Sequence, residues 1–512
     1  MDAIELSIFS SRIESVCDEM GAVLQRAAFS PNIKDRLDFS CAVFDLNGRL
    51  CAQAAHIPVH LGSMAYAMQG IVGLFSWQVG DMVVFNDPYL GGTHLPDVTL
   101  VCPVHIKGVL VGFVANRAHH ADIGSDTPGS MPLARSLSEE GLVIAPQKIM
   151  RGHQTTDEFT QILKALNNTV ESTGDFNAQM SANQRGADSL LSIISGQGSN
   201  HYQQGLDQLN EYGDRLMQQL LADIPDGEYC FSDVMDGDGL GAEGIKIQLR
   251  LRLQNGEVLA DFTGTAEQVA GNINCPLSVV AAAVYYVFRC LMPDNTPACF
   301  GVYQRIKMSA PKGSLVNSIK PAAVAAGNVE TSSRLVDVVM GALAQATPER
   351  IPAASHGSMN NLAMGVRTSS SRWNYYETIG GGMGAGPNNS GLSAVQTHMT
   401  NTLNTPIESL EMHYPLRLKR YQIRRGSGGA GLYRGGDGLL REIEFLQQTE
   451  VTLLTERRSH QPWGLLGGQA AECGDNRLNG ERLAAKVSLK VKVGDVLTIN
   501  TPGGGGYGIS GE

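Results

Sequence analysis

The chain has 512 residues, 43% of them hydrophobic and 17% charged, with 59 glycines and a formal net charge of -11. That apolar content excludes a disordered chain, and the length suggests about two to four domains at roughly 150 residues each. The acidic balance, without a long Lys/Arg run, excludes nucleic-acid binding as the main task, and the longest apolar run, 277–288, is shorter than the ~20 residues that cross a bilayer.

In chain order, apolar residues at helical spacing from Ile4 to Ala28 predict an opening amphipathic helix that stops before Ser30-Pro31. The acidic start Met1-Asp2-Ala3-Ile4-Glu5 lacks the basic flank of a signal peptide, so a cytoplasmic location is expected. Asp38 to Asp45 and Arg49 to Gln53 flank the turn pair Asn47-Gly48 and predict a hairpin. His60 to Val72 reads as a second helix. A strand runs from Gly80 toward Pro88, and two more, Val98 to His105 and Val109 to Asn116, meet at Lys107-Gly108.

Residues 157–221 turn helical and polar. From Gly227 the period becomes that of strands, at Tyr229 to Met235, Ile245 to Leu253 and Val258 to Thr263, followed by a buried helix from Leu277 to Met292. The C-terminal third alternates short strands with glycine clusters. The expected fold class is therefore α+β, with mixed, mostly antiparallel sheets, packed helices and several lobes. A first domain over 1–222 and a strand-rich second lobe over 223–512 are expected, with a soft boundary near 222–226.

Several chemistries find no support in these residues. Nine scattered cysteines without a C-x-x-C spacing read as free thiols. G-x-G-x-x-G occurs at Gly239 to Gly244, Gly426 to Gly431 and Gly503 to Gly508. None is followed by the helix that would receive a pyrophosphate, so all three read as turns and bulges. No Walker A loop and no G-x-S-x-G elbow are present.

The chemistry concentrates in Asn86 to Asp97. Gly91-Gly92 lets the loop fold tightly before His94 and Asp97, three apart around Pro96. Two antiparallel strands return the chain to its starting end, so the residues before Val98 and after Asn116 should be neighbours. His94, Asp97 and His119 then come within reach of one another, as a ligand set for Zn, Mn or Fe or as a hydrogen-bonded loop network. Asp38 offers a fourth ligand or bridge, or serves only its turn. His56 and His60 are spaced i, i+4, but Pro58 between them argues against a regular helix, and the pair reads as structural. Asn328 or Thr331 is expected to cap a helix over 335–340, and 398–408 to line a polar pocket or pack as loop.

Asp38-Phe39-Ser40, Pro58 to Met64, Asn86-Asp87-Pro88, Gly91 to Asp97, His120 to Gly124, Pro128 to Met131, Gly327 to Ser332 and Pro502 to Gly508 together resemble the hydantoinase B/oxoprolinase family, in order along essentially the whole chain. The resemblance implies a B-type subunit of an ATP-dependent cyclic amide hydrolase that opens hydantoin, 5-oxoproline or lactam rings. It implies a hetero-oligomer with a hydantoinase A-type subunit that binds ATP and phosphorylates the carbonyl, while this chain supplies a metal-activated water. It places a divalent metal on Asp38, His94, Asp97 and His119, and His120 or Asp122 is expected to relay a proton. A ketone carboxylase subunit and a non-catalytic assembly subunit are the alternatives. Ser125 stands where many relatives carry a second glycine after Gly124.

Overall fold

In the computed structural model, which describes residues 1–54, 57–367 and 372–509, helix α1 (Ala3–Ala27) begins at a capping box. Asp2 accepts the Glu5 amide at 2.8 Å, and Glu5 accepts the Asp2 amide at 3.1 Å. A short helix, α2 (Pro31–Lys34), leads into the predicted hairpin of β1 (Phe39–Phe44) and β2 (Leu50–Ala54). The next helix, α3 (Pro58–Val72), corrects one expectation. Proline suits the first helical position, where its missing N–H is not needed, so Pro58 starts the helix and carries His60 into the first turn. His56 lies outside the described residues.

β3 (Met82–Phe85), β4 (Asp97–Ile106) and β5 (Val109–His119) follow, then α4 (Leu137–Glu140), β6 (Gln147–Arg151) and β7 (Gln154–Thr155). The seven strands form one antiparallel sheet in the order β2-β1-β5-β4-β3-β6-β7. Side chains alternate across it. Ala42, Val101 and Ala115 face the core shared with α3, while Cys41, Leu100 and Val114 face the core shared with α1. The polar helical stretch resolves into α5 (Asp157–Ala165), α6 (Thr169–Gln197) and α7 (Ser199–Ala222). Gln179 and Asn183 of α6 are buried because they bond Asn116 of β5 at 2.8–2.9 Å.

A second sheet, β11-β10-β9-β8, contains β8 (Gly227–Gly237), β9 (Glu243–Gln254), β10 (Glu257–Asp261) and β11 (Ile306–Ser309), with α8 (Leu277–Cys290) between β10 and β11 in sequence. The glycine motif at 239–244 is its β8–β9 turn, with φ of 78° at Gly239 and 119° at Gly241. A π-helical turn, Gly327–Thr331, then runs straight into α9 (Ser332–Leu343). No fresh helix terminus exists there, so neither Asn328 nor Thr331 caps one as expected. Two further antiparallel sheets, of four and five strands, use residues 361–377 with 449–454 and 486–491, and residues 416–445 with 475–482 and 496–500.

The fold is thus α+β with mostly antiparallel sheets. One hydrophobic core joins Met68 and Val101 to Leu249, Val280 and Val336 across residue 222. All nine cysteines are free thiols, six of them buried. Among the described residues, no helix is long and apolar enough to cross a membrane.

Candidate metal centre

The β4–β5 register pairs Asp97 with His119, the first residue of one strand with the last of the other. Strand parity turns both toward α3. The preceding loop is held tight by Gly91 at φ 104° and by Gly92, where a Cβ would lie 2.2 Å from the Asn86 carbonyl oxygen. It delivers His94 to the same place. Among the described residues, His94, Asp97 and His119 form a group whose ligand atoms all lie within 4.8 Å of one another, and all three are buried.

The two carboxylate oxygens of Asp97 have different duties. Oδ2 accepts from Thr93 Oγ1 at 2.7 Å, from His60 Nε2 at 3.2 Å and from Asn328 Nδ2 at 3.2 Å. Oδ1 is left to the imidazoles, 3.0 Å from His94 Nε2 and 3.2 Å from His119 Nδ1. Burial raises the Asp97 carboxyl, but the charges of His94 and His60 and the hydrogen bonds from His119 and His60 outweigh it, holding the group well below the usual carboxylate range. His119 is lowered by burial against the opposing pull of Asp97, which favours its neutral form.

These features fit a cation. His94 Nδ1 donates to the Ala325 carbonyl at 3.1 Å, which in the neutral ring leaves the lone pair on Nε2. That lone pair faces Asp97 Oδ1 without hydrogen-bond alignment, and His119 Nε2 is likewise buried without a partner. Two buried ring nitrogens without a hydrogen-bond partner, beside a carboxylate oxygen, form a set suited to Zn, Mn or Fe. The His119 ring stacks on Tyr376, with centroids 4.8 Å apart and planes 11° apart, and Arg36 lies 4.9 Å from the Tyr376 ring centre.

The other expected residues are not members of this group. The Asp38 carboxylate lies outside it, 4.0 Å from the Arg36 guanidinium, while the Asp38 carbonyl accepts the His119 amide at 3.0 Å. β5 continues to His119, so parity sends His120 to the opposite face, where Nε2 donates to Gln179 Oε1 at 2.9 Å beside Phe176. Asp122 accepts from Gly124 N, Asn167 Nδ2 and Asn168 N ahead of α6. These are the surroundings of the two residues expected to relay a proton, neither of which belongs to the His94, Asp97 and His119 group.

Sequence reasoning missed His60, Asn328 and Tyr376. His60 bridges Ser40 Oγ at 3.3 Å and Asp97, and only its place in the first turn of a Pro-started helix could have pointed to it. The 398–408 segment backs the site: Thr402 Oγ1 lies 2.6 Å from Thr378 Oγ1, and the Leu403 amide donates to the Arg36 carbonyl at 3.2 Å.

The family model of hydantoinase B/oxoprolinase matches residues 2–510. Over 99% of its length the chain is 40% identical to the 5-oxoprolinase of Dictyostelium discoideum, and it spans 40% of that longer protein. A Pseudomonas protein named as the B-type component of a D-/L-hydantoinase is 31% identical over 99% of this chain and 90% of its own length. The crystal structure of the ATP-dependent caprolactamase from Pseudomonas jessenii superposes with a TM-score of 0.93 at 28% identity, covering 99% of this chain and 91% of that one.

Proposed function

The chain belongs to the hydantoinase B/oxoprolinase family, and from that premise we propose that it is the ring-opening subunit of an ATP-dependent cyclic amide hydrolase, working with a hydantoinase A-type partner. The observation that carries the reading is the division of labour at Asp97: one oxygen is held by three side-chain donors, while the carboxylate and two imidazoles form a buried group whose ligand atoms all lie within 4.8 Å of one another. Proteins named for ring amides and for ATP dependence are its relatives. The chain's span of only part of 5-oxoprolinase supports an ATP-handling portion elsewhere.

A cyclic amide is a weak electrophile. The partner transfers a phosphoryl group from ATP to the ring carbonyl oxygen. Water then adds to the activated carbon, the C–N bond breaks with the ring nitrogen taking a proton to leave an acyl phosphate, and a second water hydrolyses that acyl phosphate to carboxylate and phosphate. His94, Asp97 and His119 would hold a divalent cation, which when bound would supply Lewis acidity and make water more acidic near neutral pH. The protein prepares the site. Ala325 sets the His94 tautomer, burial keeps His119 neutral, and Thr93, His60 and Asn328 fix the rotation of the Asp97 carboxylate.

The test is reconstitution. The purified chain alone shows no ATP-dependent hydrolysis of hydantoin, 5-oxoproline or lactams, and gains it with an A-type partner and stoichiometric divalent metal. Reproducible absence of metal with full activity refutes the reading. Labelled bicarbonate appearing in the product marks a carboxylase instead.

A further inference from the structure

Two buried glutamates, unused in the chemistry above, stand behind the two imidazoles. Glu140, at the end of α4, accepts the consecutive amides of Val324 and Ala325 on Oε1, both at 2.8 Å. The carbonyl of the same Ala325 accepts from His94 Nδ1. Glu330, in the π turn, accepts on Oε1 from the Met359 amide at 2.8 Å and from Asn361 Nδ2 at 2.7 Å. The Asn361 carbonyl oxygen accepts the Tyr376 phenol at 2.7 Å, and Tyr376 is the ring on which His119 stacks. Both glutamates are fully buried, and both leave Oε2 without a hydrogen-bond partner. Such groups are costly and call for a reason.

We propose that Glu140 and Glu330 are positioning residues, each helping to fix one imidazole of the cation site through an intermediary that the glutamate holds in place. The proposal rests on the reading of His94, Asp97 and His119 as that site. Two amides on one oxygen fix the two peptide units that precede the Ala325 carbonyl, and that carbonyl in turn keeps the His94 proton on Nδ1 and the lone pair on Nε2. Asn361 has two faces, and acceptors at Glu330 and at the Leu454 carbonyl, 2.7 and 2.8 Å away, commit its NH2 face to them, leaving the side-chain carbonyl for Tyr376. An amide passes no proton along this chain of contacts, so the link positions without relaying.

Burial pushes the Glu140 carboxyl up to about 8, against the two amides that lower it. Burial and the nearby Glu456 push Glu330 up to about 7, against Lys486 and the groups donating to it. Arg458 and the Tyr376 phenol also stand near Glu330. A protonated carboxyl still accepts at its carbonyl oxygen, so glutamine is a fair replacement and leucine is not.

Zn(II) or Mn(II) titrated calorimetrically into the purified chain tests this. Glu140→Leu and Glu330→Leu each weaken binding by about 10–100-fold, the usual effect of losing a group that orients a ligand, whereas Glu140→Gln and Glu330→Gln restore it. Histidine 15N spectra show His94 as the Nδ1–H tautomer in the parent and in Glu140→Gln, and mixed tautomers in Glu140→Leu. Tyr376→Phe weakens binding as Glu330→Leu does, and the two together lose no more than either alone. Parental affinity in folded leucine variants, or glutamine variants as weak as leucine, overturns the proposal. If the leucine variants do not fold, parental affinity in Tyr376→Phe does so, as does Glu140→Gln that binds metal weakly while its His94 tautomer is unchanged. A parent chain that binds no metal sinks the cation-site reading instead, a separate outcome.

Discussion

Replacing Glu140 by glutamine separates stability from pH in a way the buried carboxyl dictates. Burial moves this group from the ordinary 4.5 to about 8, opposed by the Ala325 and Val324 amides. Each tenfold change in acidity is worth about 1.4 kcal/mol, so the native protein favours the protonated form by up to roughly 5 kcal/mol over the ionised one. The sign follows. With its acidity weakened by folding, Glu140 contributes fully below pH 4.5, and that contribution is lost as pH rises through about 8. Glu140→Gln carries no such loss. Its stability relative to the parent therefore climbs between pH 4.5 and about 8 and levels off above. Equilibrium unfolding of both proteins in urea across that range reads the difference, and infrared difference spectra locate the parent's carboxyl band as it titrates. A gap independent of pH, or a carboxyl that ionises near 4.5, refutes the reasoning.

Other perturbations act on the cluster directly. Asp97→Asn keeps an oxygen toward Thr93, His60 and Asn328 and so turns its NH2 toward the imidazoles; elemental analysis finds the metal lost and turnover with the partner lost alongside it. His60→Ala removes one of those three donors and weakens metal binding by about 10–100-fold with the fold intact, as calorimetry checks. Gly92→Ala places a methyl against the Asn86 carbonyl, and the forced shift costs about 1–3 kcal/mol in thermal or denaturant unfolding.

Strand arithmetic made the centre of the site legible. The Asn47-Gly48 turn, the alternation on either side of Lys107-Gly108 and the loop before Val98 bring His94, Asp97 and His119 together, as the register shows. The same arithmetic, carried three residues further, would have sent His120 to the far face; the expected strand stops at Asn116, whereas β5 runs to His119. Asp38 stands at the expected strand end, its carboxylate 4.0 Å from the Arg36 guanidinium of the same turn and near enough to His119 to act on it electrostatically. Asn328, Glu140 and Tyr376 were not legible, because their link to the cluster is formed by long-range packing and by a π turn. Neither leaves a periodic trace in the chain.

The ligands of the cluster come from residues 94–119, but the groups that steady them come from Ala325, Asn328 and Tyr376. During synthesis the ligands emerge long before their braces. On the proposed reading of this cluster as a cation site, tight capture is a late event that waits for the second half of the polypeptide to dock, and an ion bound at full strength would certify a finished molecule.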